Sequence, residues 1–292
     1  MTKKINLDNE LRLMVALDLT AMDSILLAYV SYLCSVWNIE HLYFTHNIKQ
    51  YKLSDLYDDF LDEGITIEDI VDRGLQRSIE KHYTASVPHT VLITTDDYTE
   101  SILSHLAKEY DIDMVVLGNK DELQGTGALN QKLVRMLHTH VLLVPEAAKH
   151  KMENVVVPTD FSTGSAKCFN VAQSLVARSG GNIEGLHVYN IPSVFFPYIN
   201  TEKVIDKTKE HLRERVKQFR KRHKISEEIP FRYIYRDDLS VVEAIELHAD
   251  KGNFDIIVVS ARGGSKIKAL FVGSVTNDLL INNRDMPLLV LR

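Results

Sequence analysis

The sequence predicts an α/β fold in which two similar domains follow one another, each a parallel sheet covered by helices. Three observations predict it. Apolar runs of strand length alternate with amphipathic runs of helical length, the alternation happens twice, and matching motifs recur 142 residues apart.

The recurrence sets the register. Leu13-Met-Val-Ala-Leu-Asp18 corresponds to Val155-Val-Val-Pro-Thr-Asp160, and Asp113-Met-Val-Val-Leu-Gly118 to Asp255-Ile-Ile-Val-Val-Ser260, both pairs 142 residues apart. Leu103 and Ala107 match Ile245 and Ala249 at the same spacing. Leu142-Leu-Val144 matches Leu288-Leu-Val290 at 146, so the first copy lacks four residues between its fourth and fifth strands.

The elements read in order along the second copy. Residues 155–158 form a continuous apolar run, as expected of a strand buried on both faces. Residues 165–178 carry Ala166, Phe169, Val171, Ala172, Leu175 and Val176 at helical spacing, and Gly180-Gly181 stops that helix. A strand over 183–189 precedes a long amphipathic helix over 201–223, built on Val204, Ile205, Leu212, Val216 and Phe219. A strand at 231–235, a helix at 241–249 and a strand at 254–259 continue the alternation, and a helical run through Val275, Leu279 and Leu280 leads to the last strand. The polar segment 146–151 has no apolar periodicity, so the domains are predicted as 1–148 and 149–292.

Composition narrows the function classes. The chain is 45% hydrophobic and 25% charged, and no apolar run approaches the roughly 20 residues that span a bilayer. The N-terminus lacks the apolar core of a signal peptide, and a formal charge of −6 favours neither nucleic acid nor an anionic membrane. Cys34 and Cys168 stand alone among apolar neighbours and read as buried thiols of a reducing compartment, with a disulfide or redox pair as the alternative. A cytoplasmic protein that binds neither nucleic acid nor membrane is expected.

In open α/β sheets ligands bind beyond the carboxyl ends of the strands, where the strand order reverses. After the fourth strand of copy two comes Ser260-Ala-Arg-Gly263-Gly264, then Gly273-Ser274-Val275 before a helical run. The glycines permit close approach to a ligand, Ser274 is suited to cap the helix, and free N–H groups at a helix start attract an anion. Arg262, Lys266 and Lys268 add positive charge. The plain alternative is a helix cap and nothing more.

Gly263, nine residues and then Gly273-Ser274 resembles the signature of the universal stress protein family, whose ATP-binding members carry Gly, two residues, Gly, nine residues, and Gly-Ser/Thr. Ser260 replaces the first glycine. The resemblance extends to Val157-Pro-Thr-Asp-Phe-Ser162, Leu186-His-Val-Tyr189 and Pro287-Leu-Leu-Val290, and covers nearly the whole chain, twice over. It implies two tandem Rossmann-like domains, each a parallel five-stranded sheet with helices on both faces. It also implies a regulatory, stress-response protein that binds ATP or another adenine nucleotide, with Mg2+ or without it. Carried over by residue, Asp160 would contact the ribose or base, Val188 would offer its main chain to the adenine edge, and Gly263, Gly273, Ser274 and Val275 would hold the phosphates. Asp160 reads equally as the N-cap of the next helix and Val188 as ordinary core.

Copy one departs from this pattern. Asp121 stands where the second glycine belongs, the four-residue deletion falls in this loop, and Gly125 and Gly127 suggest only a tight turn. Asp18 persists, there read as a helix cap. Copy one is expected to be a structural or protein-interaction half. The resemblance further implies that the fifth strands, around 141–144 and 288–291, pair to make an intramolecular pseudo-dimer, which would cover two apolar edges. Homodimer formation and an unnamed protein partner are also expected.

Other candidates recede. Ser179-Gly-Gly-Asn182 is similar to the Ser-Gly-Gly loop of ATP pyrophosphatases, but it follows the first helix rather than the first strand. No P-loop or GxGxxG sequence follows a strand. The twelve histidines show no metal-ligand spacing, and the basic stretch 213–224 reads as a solvated helix face. The acidic segment 55–63 reads as a loop leading into a helix. Val194-Phe-Phe-Pro-Tyr198 is expected to be a lid over the nucleotide site or a chain–chain contact, with a satellite core as the bland alternative. No catalytic constellation is apparent. The competing function is a nucleotide-independent interaction scaffold, or a small-ligand-binding protein with vestigial nucleotide pockets.

Overall fold

The computed structural model describes residues 7, 9–49, 65–120, 126–191, 201–262 and 272–292. The loop containing Gly263 and Gly264, the aromatic segment 194–198, the acidic segment 55–63, and Asp121 and Gly125 lie outside the described residues. The chain divides into two compact units. The first comprises Met1–His150 with Arg284–Pro287 and Arg292, and the second Lys151–Asn283 with Leu288–Leu291.

The first unit runs β1 (Leu11–Ala16), α1 (Ala21–Val36), β2 (Ile39–Ile48), α2 (Ile67–His82), β3 (His89–Thr95), α3 (Thr99–Glu109), β4 (Met114–Asn119), α4 (Thr126–Met136) and β5 (His140–Pro145). Its strands are parallel neighbours in the order β3-β2-β1-β4-β5. The second unit runs β6 (Asn154–Pro158), α5 (Thr163–Ser179), β7 (Asn182–Tyr189), α6 (Thr201–His223), β8 (Phe231–Tyr235), α7 (Val241–Lys251), β9 (Ile256–Ser260), α8 (Ser274–Asn282) and β10 (Leu288–Leu291). Its order, β8-β7-β6-β9-β10, repeats the first, again all parallel. Each unit is thus a five-stranded parallel sheet with the reversal of strand order beside its first strand.

The apolar runs do what burial on both faces requires. β5 and β10 are buried at every residue, and β9 at all but its last. β3 and β8, at the ends of these orders, are half-buried throughout most of their length. An aspartate ties the first strand of each unit to the fourth. Asp113 accepts the Arg12 N–H at 2.9 Å, and Asp255 accepts the N–H groups of Glu153 and Asn154 at 3.0 and 2.8 Å. Gly180 closes α5 in the left-handed region at φ 71°, with its N–H on the Val176 carbonyl, as the glycine pair led us to expect.

Several local readings change. Gly127 is the second residue of α4 rather than part of a tight turn, a place where a glycine costs little because the first turn still lacks its hydrogen bonds. The basic stretch of α6 is not wholly solvated. Arg220 donates to the carbonyls of Ser226 and Ile229 and lies 4.9 Å from the Phe231 ring centre. Both cysteines are free; Cys168 is buried, which pushes its thiol pKa up, whereas Cys34 is only half-buried. Among the described residues no helix is long and apolar enough to cross a membrane.

Candidate functional site

Where the strand order of the second unit reverses, the ends of β6, β7 and β9 and the starts of α5, α7 and α8 enclose a cleft of about 370 Å³. Asp160, Val188, Gly273, Ser274 and Val275 all line it, together with Ser260 and Arg262. Gly263, the sixth residue implied, lies outside the described residues.

At one end stands the start of α8. Gly273, not Ser274, is its N-cap: Gly273 is extended at φ −59° and ψ 149°, and its carbonyl accepts the Asn277 N–H at 2.8 Å. The Gly273 N–H is itself taken by the Ala261 carbonyl at 2.9 Å, so this glycine contributes shape rather than an amide. Ser274, Val275 and Thr276 are the first three helical residues, whose N–H groups have no acceptor within the helix. Thr276 Oγ1 donates to the Ser260 carbonyl at 2.8 Å and fixes this helix start to the end of β9. The Arg262 side chain is exposed at the same end.

The floor is the turn after β6, and it is tied by a chain of hydroxyls. The Phe161 N–H donates to Thr159 Oγ1 at 3.0 Å, Thr159 and Ser165 hydroxyls are 2.9 Å apart, and Ser165 Oγ donates to the Ser162 carbonyl at 3.0 Å. Ser162 caps α5 by accepting the Ser165 N–H at 3.2 Å. Asp160 is therefore not the cap; its Oδ1 accepts the Ser162 N–H at 3.0 Å and holds the capping residue in place. Phe161 sits at φ 62°, a conformation that costs a bulky residue about 1–3 kcal/mol unless its surroundings hold it. Its ring lies 4.5 Å from that of His187, and the Arg215 guanidinium of α6 lies 4.7 Å from its centre.

The far end is apolar, formed by Leu186 and Val188 of β7 and by Val241 and Ile245 of α7. His187, between Leu186 and Val188 on β7, turns its ring to the other face of the sheet, against Phe161. Its Nδ1 is 2.7 Å from the Thr159 carbonyl, an acceptor, so Nδ1 carries the proton and donates. Burial holds the imidazole pKa below its ordinary value, against the pull of the Thr159 carbonyl; Arg215 lowers it further and Asp160 opposes.

The first unit shows the same frame with other residues at the corresponding positions. Leu19 repeats the positive φ of Phe161, at 60°, and Thr20 rather than Asp18 caps α1. Asp18 is ion-paired with Lys120, the counterpart of Arg262, and accepts from the Thr20 hydroxyl at 2.6 Å. Met22 stands where copy two has Gly164 and packs on Gly118, the counterpart of Ser260, so closely that a Cβ there would lie 2.5 Å from Met22 Cγ. Gly164 in turn leaves room for Ser260, whose Oγ would be 2.8 Å from a Cβ at Gly164. The small residue has changed sides between the copies.

Burial raises the Asp18 pKa, but hydrogen bonds from Lys120 and Thr20 outweigh it and leave the carboxyl below its ordinary value. Its contribution to stability is thus present above the ordinary aspartate value of about 3.9 and is lost as pH falls through the lowered folded value. Asp18→Asn should flatten the acid unfolding profile below about pH 4 and leave nucleotide affinity unchanged, which acid titration by circular dichroism and calorimetry would show.

A parallel sheet with a donor-lined cleft at the reversal of strand order defines a doubly wound α/β domain with its ligand-type cleft at the usual place. Residues 151–292 match the model of the Universal stress protein family, and the chain belongs to that family through this half. Three solved structures resemble the whole chain. A universal stress protein from Archaeoglobus fulgidus is 16% identical with a TM-score of 0.64, over 98% of each chain. A putative universal stress protein from Pseudomonas aeruginosa UCBPP-PA14 is 12% identical with a TM-score of 0.64, over 96% of this chain and 92% of that one. A functionally unknown protein from Pseudomonas aeruginosa PAO1 is 12% identical with a TM-score of 0.63, over the same shares. At these identities they show the fold alone, and they show it over both halves. No curated protein matches.

His187, Gly164 and Thr276 had no signal in the spacing of the sequence. His187 lies within the strand motif Leu186–Tyr189, and nothing in that motif marks its bond to the Thr159 carbonyl at the end of the neighbouring strand.

Proposed function

We propose that the second domain, 149–292, binds one adenine nucleotide, ATP foremost, and that the chain acts as a regulatory, stress-response protein of the cytoplasm. The observation that carries this reading is the polarity of the cleft. The N–H groups of Ser274, Val275 and Thr276 and the Arg262 cation mark one end for a polyanion, and Leu186, Val188, Val241 and Ile245 mark the other for a flat base. Asp160, between them at the end of β6, is then placed for the ribose. Gly263 and Gly273 shape the phosphate end, and the Val188 main chain serves the base.

The cleft supports binding rather than group transfer. The hydroxyls of Thr159 and Ser165 bond one another, Ser162 Oγ accepts the Ser165 N–H, and Thr276 Oγ1 donates to the Ser260 carbonyl, bonds that build the turn and the helix start. Among the described residues no group of three His, Cys, Asp or Glu could hold a metal, so Mg2+ would arrive with the phosphates and be held by them and by water. Mass spectrometry of small molecules released from the purified chain tests the proposal directly. An adenine nucleotide is the expected finding, and a non-nucleotide ligand released in stoichiometric amount would overturn it.

A second reading applies to the first domain, 1–148, and rests on the Asp18–Lys120 pair and on Met22. With Asp18 paired to Lys120 and Met22 packed on Gly118, this domain acts as a structural or protein-interaction half.

A further inference from the structure

We propose that Phe161 is a positioning residue: its ring, fastened on the face of the sheet away from the cleft, holds Asp160 where a nucleotide meets it. This rests on the nucleotide reading above and adds a residue that does not touch the ligand. The turn after β6 crosses the end of the sheet within two residues. Asp160 lines the cleft, whereas the Phe161 ring packs on the other side against the cluster of Tyr189, Ile191 and Leu212.

At φ 62° Phe161 occupies a region that a bulky side chain disfavours. Its ring contacts offset that cost. The His187 ring lies 4.5 Å away and the Phe219 ring 5.6 Å away, and the Arg215 guanidinium stands 4.7 Å over the ring centre. His187 is itself fixed, because its Nδ1–H donates to the Thr159 carbonyl at 2.7 Å. Thr159 Oγ1 in turn accepts the Phe161 N–H at 3.0 Å. β7 and α6 therefore both hold the one residue that separates Asp160 from Ser162, and the bond from the Ser162 N–H to Asp160 Oδ1 spans it.

The first unit shows that the fold alone does not require this fastening. Leu19 holds φ 60°, and His46 Nδ1 bonds the Leu17 carbonyl at 2.9 Å as His187 bonds that of Thr159. Leu19 is aliphatic and 44% exposed, and it faces α2 at a glycine: a Cβ on Gly74 would lie 3.7 Å from Leu19 Cδ2. The turn and the histidine bond thus belong to the shared frame. The aromatic ring and its cation belong to the copy that keeps the proposed nucleotide residues. Their effect is on population: a turn that leaves the positive-φ arrangement part of the time is competent only for the remaining fraction, and the observed affinity falls with that fraction.

The experiment is calorimetric titration of ATP into the full chain and its variants, with melting temperatures measured alongside. Phe161→Leu imports the side chain that already holds this conformation in the first unit. It should melt close to the wild type and bind ATP about tenfold more weakly. Phe161→Tyr keeps the ring and should bind as the wild type does. Arg215→Met keeps much of the side-chain length, loses the cation, and should weaken binding a few-fold. Added to Phe161→Leu it should weaken binding no further, because both changes undo one contact. Should Phe161→Leu fail to fold, wild-type affinity in Phe161→Tyr with weakened binding in Arg215→Met supports the proposal, and wild-type affinity in Arg215→Met overturns it. Wild-type affinity in Phe161→Leu, a loss in Phe161→Tyr as large as in Phe161→Leu, or equal losses from Arg215→Met with and without the ring overturn the role of Phe161 and leave the nucleotide reading intact. Binding of ATP by none of the proteins, wild type included, overturns both.

Discussion

Gly273→Asp is expected to abolish nucleotide binding while leaving the protein as stable as before. Gly273 is the N-cap of α8 and is extended at φ −59° and ψ 149°, a conformation that suits an aspartate. Aspartate is among the best N-caps, so the helix gains at most a few tenths of a kcal/mol over glycine. The new carboxylate would accept from the N–H groups of the first turn, the same donors proposed for the phosphates, and would place a negative charge beside them. Charge-assisted hydrogen bonds contribute roughly 1.5–3 kcal/mol each. Losing two of them lowers affinity by at least about a hundredfold. The wild type should show one ATP site per chain in calorimetry, and the variant none, with an unchanged or slightly raised melting temperature. Two equal sites in the wild type would contradict the reading that Lys120, paired with Asp18, and Met22, packed on Gly118, leave the first unit without a site. Binding that survives the substitution would place the phosphates elsewhere.

The parts of this fold legible in the sequence are those where one physical demand acts on consecutive residues. Strands buried on both faces must be apolar throughout, so β6, β9 and β10 stand out as runs, and their recurrence at a constant spacing exposes the repeat. Of the residues that line the cleft, Asp160, Val188 and Gly273 to Val275 carry a signal in the chain itself. What escaped depends on contacts between distant segments. A spacing of 142 sets Thr45 against His187, yet the sheet sets His46 there, because β2 and β7 differ in register against their neighbours. Ser274 looked like the cap because serine prefers that place. Tertiary bonds decided otherwise: Thr276 on Ser260 and Gly273 on Ala261 fix the helix one residue earlier. Asp18 and Asp160 looked like caps for the same reason, and each instead supports the turn beside the true cap.

Gly164→Met should close the cleft and destabilise the second unit together. A Cβ at Gly164 would lie 2.8 Å from Ser260 Oγ and overlap the Arg262 carbonyl, which is main chain and cannot swing aside. Overpacking of this kind typically costs about 1–3 kcal/mol, and contact with main chain puts the cost at the upper end. The first unit shows how the same frame accepts that side chain. Met22 is 3% exposed, and it fits because Gly118 faces it without a Cβ. Adding Ser260→Gly to Gly164→Met transplants that arrangement and removes one of the two clashes. The double variant should therefore recover part of the lost melting temperature, the remainder reflecting the Arg262 carbonyl. It should recover none of the ATP affinity, since the methionine stands beside Ser260 in the wall of the proposed nucleotide cleft. Recovery of stability without binding would establish that the exchange of small and large residues across this contact decides which copy keeps an open cleft. Recovery of both would show that methionine can leave the cleft, and that the closure of the first unit depends on Lys120 and Asp18 instead.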